Sequence, residues 1–308
     1  MHQILFFLIP MAQALPPVAP LQAPSMVHNV VVGGQEPGRG PNASSLDRTV
    51  RLTSVRILRV PMVGGNPGAP QTICSGTLLN GGQVATAAHC FSGQRVQSGG
   101  PAKYVVEITR ADGTKRQVEV RGGTSAIDPE TLRAAKTPNL SNDISILNLA
   151  EDTGHRGVPI CGADVKPEMG RFVAAGIGIS NEDPRATTTS PLRTIDIKMI
   201  GRVPSGEING RPQVGDGSIC MGDSGGGLYH SDGAKVCLYA VNSAFQTENP
   251  KAEELIERCR GQGVNHRFAP LQGRDELVKS LGRGEIPTVP VQNAPLPPRR
   301  PAEIGGSR

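Results

Sequence analysis

Short runs rich in branched residues, each soon broken by Gly, Pro, Asn or Asp, constrain this chain more than any other feature. "TVRLTSVRILRV", "KYVVEITR", "RQVEVRG", "DISILNL", "RFVAAGIGI", "RTIDIKMI" and "VCLYAVNSA" follow one another between residues 49 and 244. Branched residues and alternation with frequent turn signals predict an all-β sandwich or barrel. Two segments read as helical: Pro250 to Arg260, and Arg274 to Leu281 with Leu277, Val278 and Leu281 on one face. No fixed-period repeat of the solenoid kind is present. At about 150 residues per domain, 308 residues make two domains or one large one.

The two ends differ from this middle. Ile4 to Ile9 form a short apolar core, and Ala12-Gln13-Ala14 is an A-x-A cleavage pattern, so residues 1–14 are expected to be a signal peptide. The leader has no Lys or Arg, and the competing assignment is a buried strand, which Pro10 and the prolines after it disfavour. Residues 15–30, with Pro16, Pro17, Pro20 and Pro24, read as a pro-segment, and residues 282–308 as a proline-rich disordered tail. No later run is long and apolar enough to span a membrane. The six cysteines are widely spaced and none forms a C-x-x-C pair, which argues against a zinc or dithiol redox motif. An even number suits three disulfides and an oxidising compartment, outside the cell or in a periplasm. The net charge of +5 is spread along the chain, aromatics are 3% and Trp is absent, so a nucleic-acid partner is not expected. No metal or cofactor is expected.

Three strings carry chemistry: "TAAHC" at 86–90, "NDISIL" at 142–147 and "GDSGGG" at 222–227. A serine hydroxyl is a weak nucleophile unless a base takes its proton, and the base needs a third group to fix its tautomer and stabilise its charged form. His89, Asp143 and Ser224 supply those three groups. Glycines beside Ser224 allow a tight turn in which the amides of Gly222 and Ser224 converge as an oxyanion hole. "GDSGG" also fits the G-x-S-x-G elbow of α/β-hydrolases, but there the order is Ser, acid, His. Here the order is His, Asp, Ser, in a β-rich chain.

With these motifs in this order, the chain resembles the chymotrypsin/trypsin-like serine proteases from about Val31 to Leu281, with weak matching between the motifs. The resemblance implies two six-stranded β-barrels, dividing near residues 150–165, and a closing C-terminal helix. "VVGG" at 31–34 resembles the family's mature N-terminus, which implies that the new amine at Val31 pairs with Asp223. "CSGTLL" before the histidine implies Cys74–Cys90, and the family pattern implies Cys220–Cys259, which leaves Cys161 with Cys237. Ser243 matches the serine that helps hold the catalytic Asp. Departures are Ala244 after that serine, Gly176-Ile177-Gly178 for Gly-Trp-Gly, Gly227 for a proline, and Val30 rather than a basic residue before "VVGG".

The resemblance also places the pocket for the residue before the scissile bond. Its floor is Ser218 with Ile219 beside it, and its walls fall at Ser243–Phe245 and Gly263. A trypsin-like pocket carries Asp at the floor; an unpaired buried cation is costly, so Ser218 disfavours Arg and Lys and the pocket suits small to medium apolar side chains. Asp216 lies close enough that a shifted loop would restore a basic preference. The expectation is a secreted, monomeric serine endopeptidase acting on proteins or peptides. A binding module without catalysis on the same scaffold is the alternative.

Overall fold

The computed structural model describes residues 34–91, 93, 95–97, 102–135, 139–178, 191–213, 217–246 and 264–285. The expected leader and pro-segment, residues 286–308 of the expected tail, the Pro250 to Arg260 helix, Val31, Asp216, Cys259 and Gly263 lie outside them. The tail's expected start at 282 is corrected, because Gly282 closes a helix and Arg283 and Ser280 both bond Glu285.

Two antiparallel barrels form. The first closes through β1 (Ser54–Val63), β3 (Gln71–Leu79), β4 (Gln83–Thr86), β8 (Ser145–Leu149), β7 (Lys115–Ser125) and β6 (Ala102–Thr109), which pairs back onto β1 from Val55↔Ile108 to Pro61↔Ala102. The short β2 (Asn66–Pro67) and β5 (Arg95–Gln97) are appended to β1 and β7. The second closes through β9 (Arg171–Gly176), β10 (Arg193–Arg202), β11 (Ile208–Pro212), β14 (Asn265–Pro270), β13 (Val236–Gln246) and β12 (Gly227–Ser231). Period-two alternation explains the inward faces: Val106, Ile108, Val118 and Val120 fill the first barrel, and Phe172, Ala174, Ile195, Ile197 and Phe268 fill the second. Each fully buried Leu, Ile, Val or Phe contributes about 1.5–3 kcal/mol.

A third apolar cluster joins the barrels. Leu79, Ala85, Ile144 and Ile146 of the first pack with Val173, Ala175, Leu238 and Val241 of the second. The segment between β8 and β9 stitches the same seam, with Val158 N–H donating to Leu78 O (3.0 Å) and Leu238 N–H donating to Pro159 O (2.8 Å). The Cys161–Cys237 disulfide pins it to β13.

One expectation needs correction. The run from Thr49 was read as strand from its first residue, yet Ser45–Thr53 is a helix, α1, and the strand begins at Ser54. Ser44 caps it, accepting from Asp47 N–H (3.0 Å), and Leu46, Val50 and Thr53 fall on one buried face. Local capping and burial outweigh the weak β preference of its Val and Thr residues. A second short helix, α2 (Pro129–Ala134), was also not anticipated; Asp128 caps it and Pro129 opens it. The expected terminal helix is present as α3 (Asp275–Gly282), which buries Val278 and Leu281 and docks on the first barrel, where Asn148 Nδ2 donates to Gly282 O (2.9 Å).

Candidate active site

The histidine follows β4 on a single 3-10 turn, Ala88–Cys90, tied back to β3 by the Cys74–Cys90 disulfide. The aspartate follows another 3-10 turn, Leu140–Asn142, held by Asn139 Oδ1 accepting from Ser141 N–H (3.0 Å). Asp143 is fully buried and accepts three hydrogen bonds: from His89 N–H (2.9 Å), His89 Nδ1 (2.7 Å) and Ser243 Oγ (2.5 Å). A carboxylate can only accept, so the Nδ1 bond fixes the proton there and leaves Nε2 of His89 as the basic nitrogen. Ser243 reaches Asp143 from a bulge in β13, where Asn242 pairs with Phe268 and Ala244 with Arg267, so Ser243 is the extra residue.

The serine loop precedes β12 and docks on the first barrel. Ser75 N–H donates to Ser224 O (2.9 Å); Ser75 follows Cys74, and the sulfur of Cys90, disulfide partner of Cys74, lies 4.0 Å from the same oxygen. Gly225 makes that approach feasible. Its φ is 79°, and a Cβ there would sit 2.0 Å from Thr86 Oγ1 and 2.8 Å from Ala87 N. Among the described residues, Ser224 Oγ makes no hydrogen bond, including none to His89 Nε2. Nucleophile–base bonds are often long before substrate binds. Of the amides from Gly222 to Gly226, those of Asp223, Gly225 and Gly226 donate within the protein; those of Gly222 and Ser224 have no acceptor among the described residues. Two unengaged amides beside a serine can receive a developing oxyanion.

Asp223 is also fully buried, yet its two oxygens accept only backbone amides: Gly178 N–H (3.0 Å) and Cys220 N–H (3.0 Å). Among the described residues no cation pairs with it. Burial pushes its carboxyl up to about 7, and the two amides pull it back by less.

At the expected pocket floor, Ser218 and Ile219 are buried and Ser218 Oγ donates to Ile219 O (3.1 Å). Phe245 is partly exposed on β13, opposite His266 on β14. Cys220 is disulfide-bonded; its expected partner lies outside the described residues. Cys74, His89 and Cys90, and Cys161, His230 and Cys237, are grouped closely enough to suggest metal ligands. In each set the two sulfurs are bonded to each other, which removes the thiolates a metal would need.

Three contributors were not anticipated. Ser75 contacts the serine loop through its main chain and its side chain. Asn242 Nδ2 donates to Ala175 O (2.9 Å) and Asp223 O (3.0 Å). His266, fully buried, lies 3.4 Å from Ser218 Oγ, and desolvation holds its ring down at about 4. Each acts through tertiary contact, and no local spacing in the sequence marks it.

Comparison with known proteins agrees with this architecture. No curated protein sequence matches the chain. Among solved structures, neuropsin, a serine protease expressed in the limbic system of mouse brain, superposes with a TM-score of 0.50 at 18% identity, covering 75% of this chain and 94% of that one. A family profile described as trypsin matches residues 57–256. That span holds all three motifs and most of both barrels, and on it the chain belongs to the trypsin family.

Proposed function

We propose that the protein is a serine endopeptidase that hydrolyses peptide bonds through an acyl-enzyme on Ser224. The observation that carries this is the buried Asp143 bonded to His89 Nδ1, with the Ser224 loop seated on the same barrel. His89 Nε2 takes the Ser224 proton as Oγ attacks the carbonyl carbon. The Gly222 and Ser224 amides receive the oxyanion, and His89 returns the proton to the leaving amine. Water, activated by the same nitrogen, then releases the acyl group.

The finer features extend this proposal. The protein is secreted or periplasmic and acts as a monomer, with Cys220 paired to Cys259. Cleavage before Val31 supplies an amine to Asp223, whose burial as an unpaired carboxylate is otherwise costly. Ser218 at the floor, with neutral His266 behind it, offers no countercharge to Arg or Lys, so small to medium apolar side chains are preferred before the scissile bond. The test is a cleavage-site profile of protein beginning at Val31 on a mixed peptide library, with Ser224→Ala in parallel. Cuts after Leu, Met, Val or Ala that fall by about 10⁶-fold in turnover in the variant are expected. Undiminished cleavage by Ser224→Ala would refute the nucleophile, and fastest cleavage after Arg the pocket.

A further inference from the structure

We propose that Ser75 is a positioning residue of the oxyanion loop, bracing both carbonyls that flank Asp223 against the first barrel. It sits in β3 and is 1% exposed. Its hydroxyl donates to Gly222 O (2.9 Å) and accepts from Ile177 N–H (2.8 Å), while its own N–H donates to Ser224 O (2.9 Å). A hydroxyl has one proton to give, and here it is committed to the loop. Ser75 is held in turn, because its carbonyl accepts from Thr86 Oγ1 (2.8 Å), three residues before His89.

The consequence follows from peptide planarity. Fixing the carbonyl of Gly222 fixes the whole 222–223 unit, and fixing that of Ser224 fixes the 224–225 unit. The unit between them is held through Asp223 O, which accepts from Asn242 Nδ2 and Gly226 N–H (both 3.0 Å). Three consecutive units are therefore anchored, and the middle one carries the Ser224 N–H. The Gly222 N–H sits in the 221–222 unit, which joins the braced 222–223 unit at the Gly222 Cα, and among the described residues neither amide has a partner. Such donors help the reaction only when their orientation is set beforehand, because reorienting them during the reaction consumes the stabilisation they offer. Without the hydroxyl, Gly222 O and Ile177 N–H would be left unpaired, and the loop would turn to satisfy them. The brace uses no cation at Asp223.

This inference rests on the peptidase proposal, and the test separates the two. Ser75→Thr and Ser75→Val add the same bulk, but only Thr keeps the hydroxyl. Val should have a kcat about 10- to 100-fold below that of Thr, with KM within about two-fold and a matching loss of affinity for a peptide boronate that mimics the tetrahedral state. Amide hydrogen exchange in the peptide spanning residues 217–226 should be faster in Val than in Thr, with barrel strands unchanged. Equal kcat, boronate affinity and exchange in the two variants would overturn the brace. If wild type cleaves no peptide, the peptidase proposal fails and the exchange comparison alone decides: faster exchange in Val supports the brace, equal exchange overturns it.

Discussion

Among the described residues each barrel buries one carboxylate completely at the seam, Asp143 and Asp223, and the two are held in opposite ways. Asp143, from the first barrel, accepts from the ring and main chain of His89 and from Ser243. Among the described residues Asp223, from the second, accepts only from two main-chain amides, and it holds its proton up to about pH 7. A carboxylate facing an imidazole can steady a charge that comes and goes during a reaction. A carboxylate facing only amides has its own charge unanswered, so it responds to whatever cation reaches it. The first arrangement suits chemistry and the second suits a switch.

The largest way to break this contrast is Asp143→Asn. The amide can accept at only one of the two atoms and presents an NH₂ donor at the other, which favours the wrong histidine tautomer, so kcat should fall about 10⁴-fold with folding intact. A loss below about ten-fold would mean that Asp143 is not the group orienting His89.

On the other side of the seam, Gly176→Ala would place a methyl 2.1 Å from Asp223 Oδ1. The carboxylate must move, dragging the Gly178 contact with it. Destabilisation of about 1–3 kcal/mol by denaturant titration, with reduced turnover, is expected. An unchanged midpoint would mean that Asp223 is not confined by this strand.

The charge state of Asp223 gives a pH test. Its folded value, about 7, lies above the ordinary 3.8. Below pH 3.8 the group is protonated folded or unfolded and adds no penalty. From there to about pH 7 only the unfolded chain releases the proton, so stability is lost as pH rises, by roughly 4 kcal/mol in all. In the uncleaved chain, the stability of wild type relative to Asp223→Asn should therefore fall between pH 4 and 7. In protein beginning at Val31, an amine on Asp223 should abolish that fall. Parallel curves in both forms would contradict the switch.

The smallest expected effect is Ser243→Ala, which removes one of three donors to Asp143. A hydrogen bond to a charged group contributes about 1.5–3 kcal/mol, so kcat should drop about 10-fold and KM little. A fall as deep as that of Asp143→Asn would mean that Ser243 positions more than one group.

Much of this was legible in the sequence because it is local. Alternation in "KYVVEITR" and "RQVEVRG" fixes which side chains enter the first barrel, and β6 and β7 form there. His89, Asp143 and Ser224 stood out because each lies in a short string with its own turn chemistry. The helix at Ser45–Thr53 did not stand out, because Val50 and Thr53 resemble strand residues and only the Ser44 cap and the buried face decide for helix. Ser75 did not stand out either, since its bond to Gly222 crosses 147 positions of chain. Asn242 and His266 were missed for the same reason: a buried polar group is recognised by its partners, and those are set by the fold.

The central claim is that Ser224 is an activated nucleophile whose base is His89 held by Asp143. The most direct measurement is mass spectrometry of protein beginning at Val31 after exposure to a peptidyl phosphonate bearing an apolar side chain. The account predicts one adduct per molecule, on Ser224, forming at least about 10³-fold more slowly in His89→Ala. No adduct on folded protein, an adduct on another residue, or equal rates with and without His89 would contradict it.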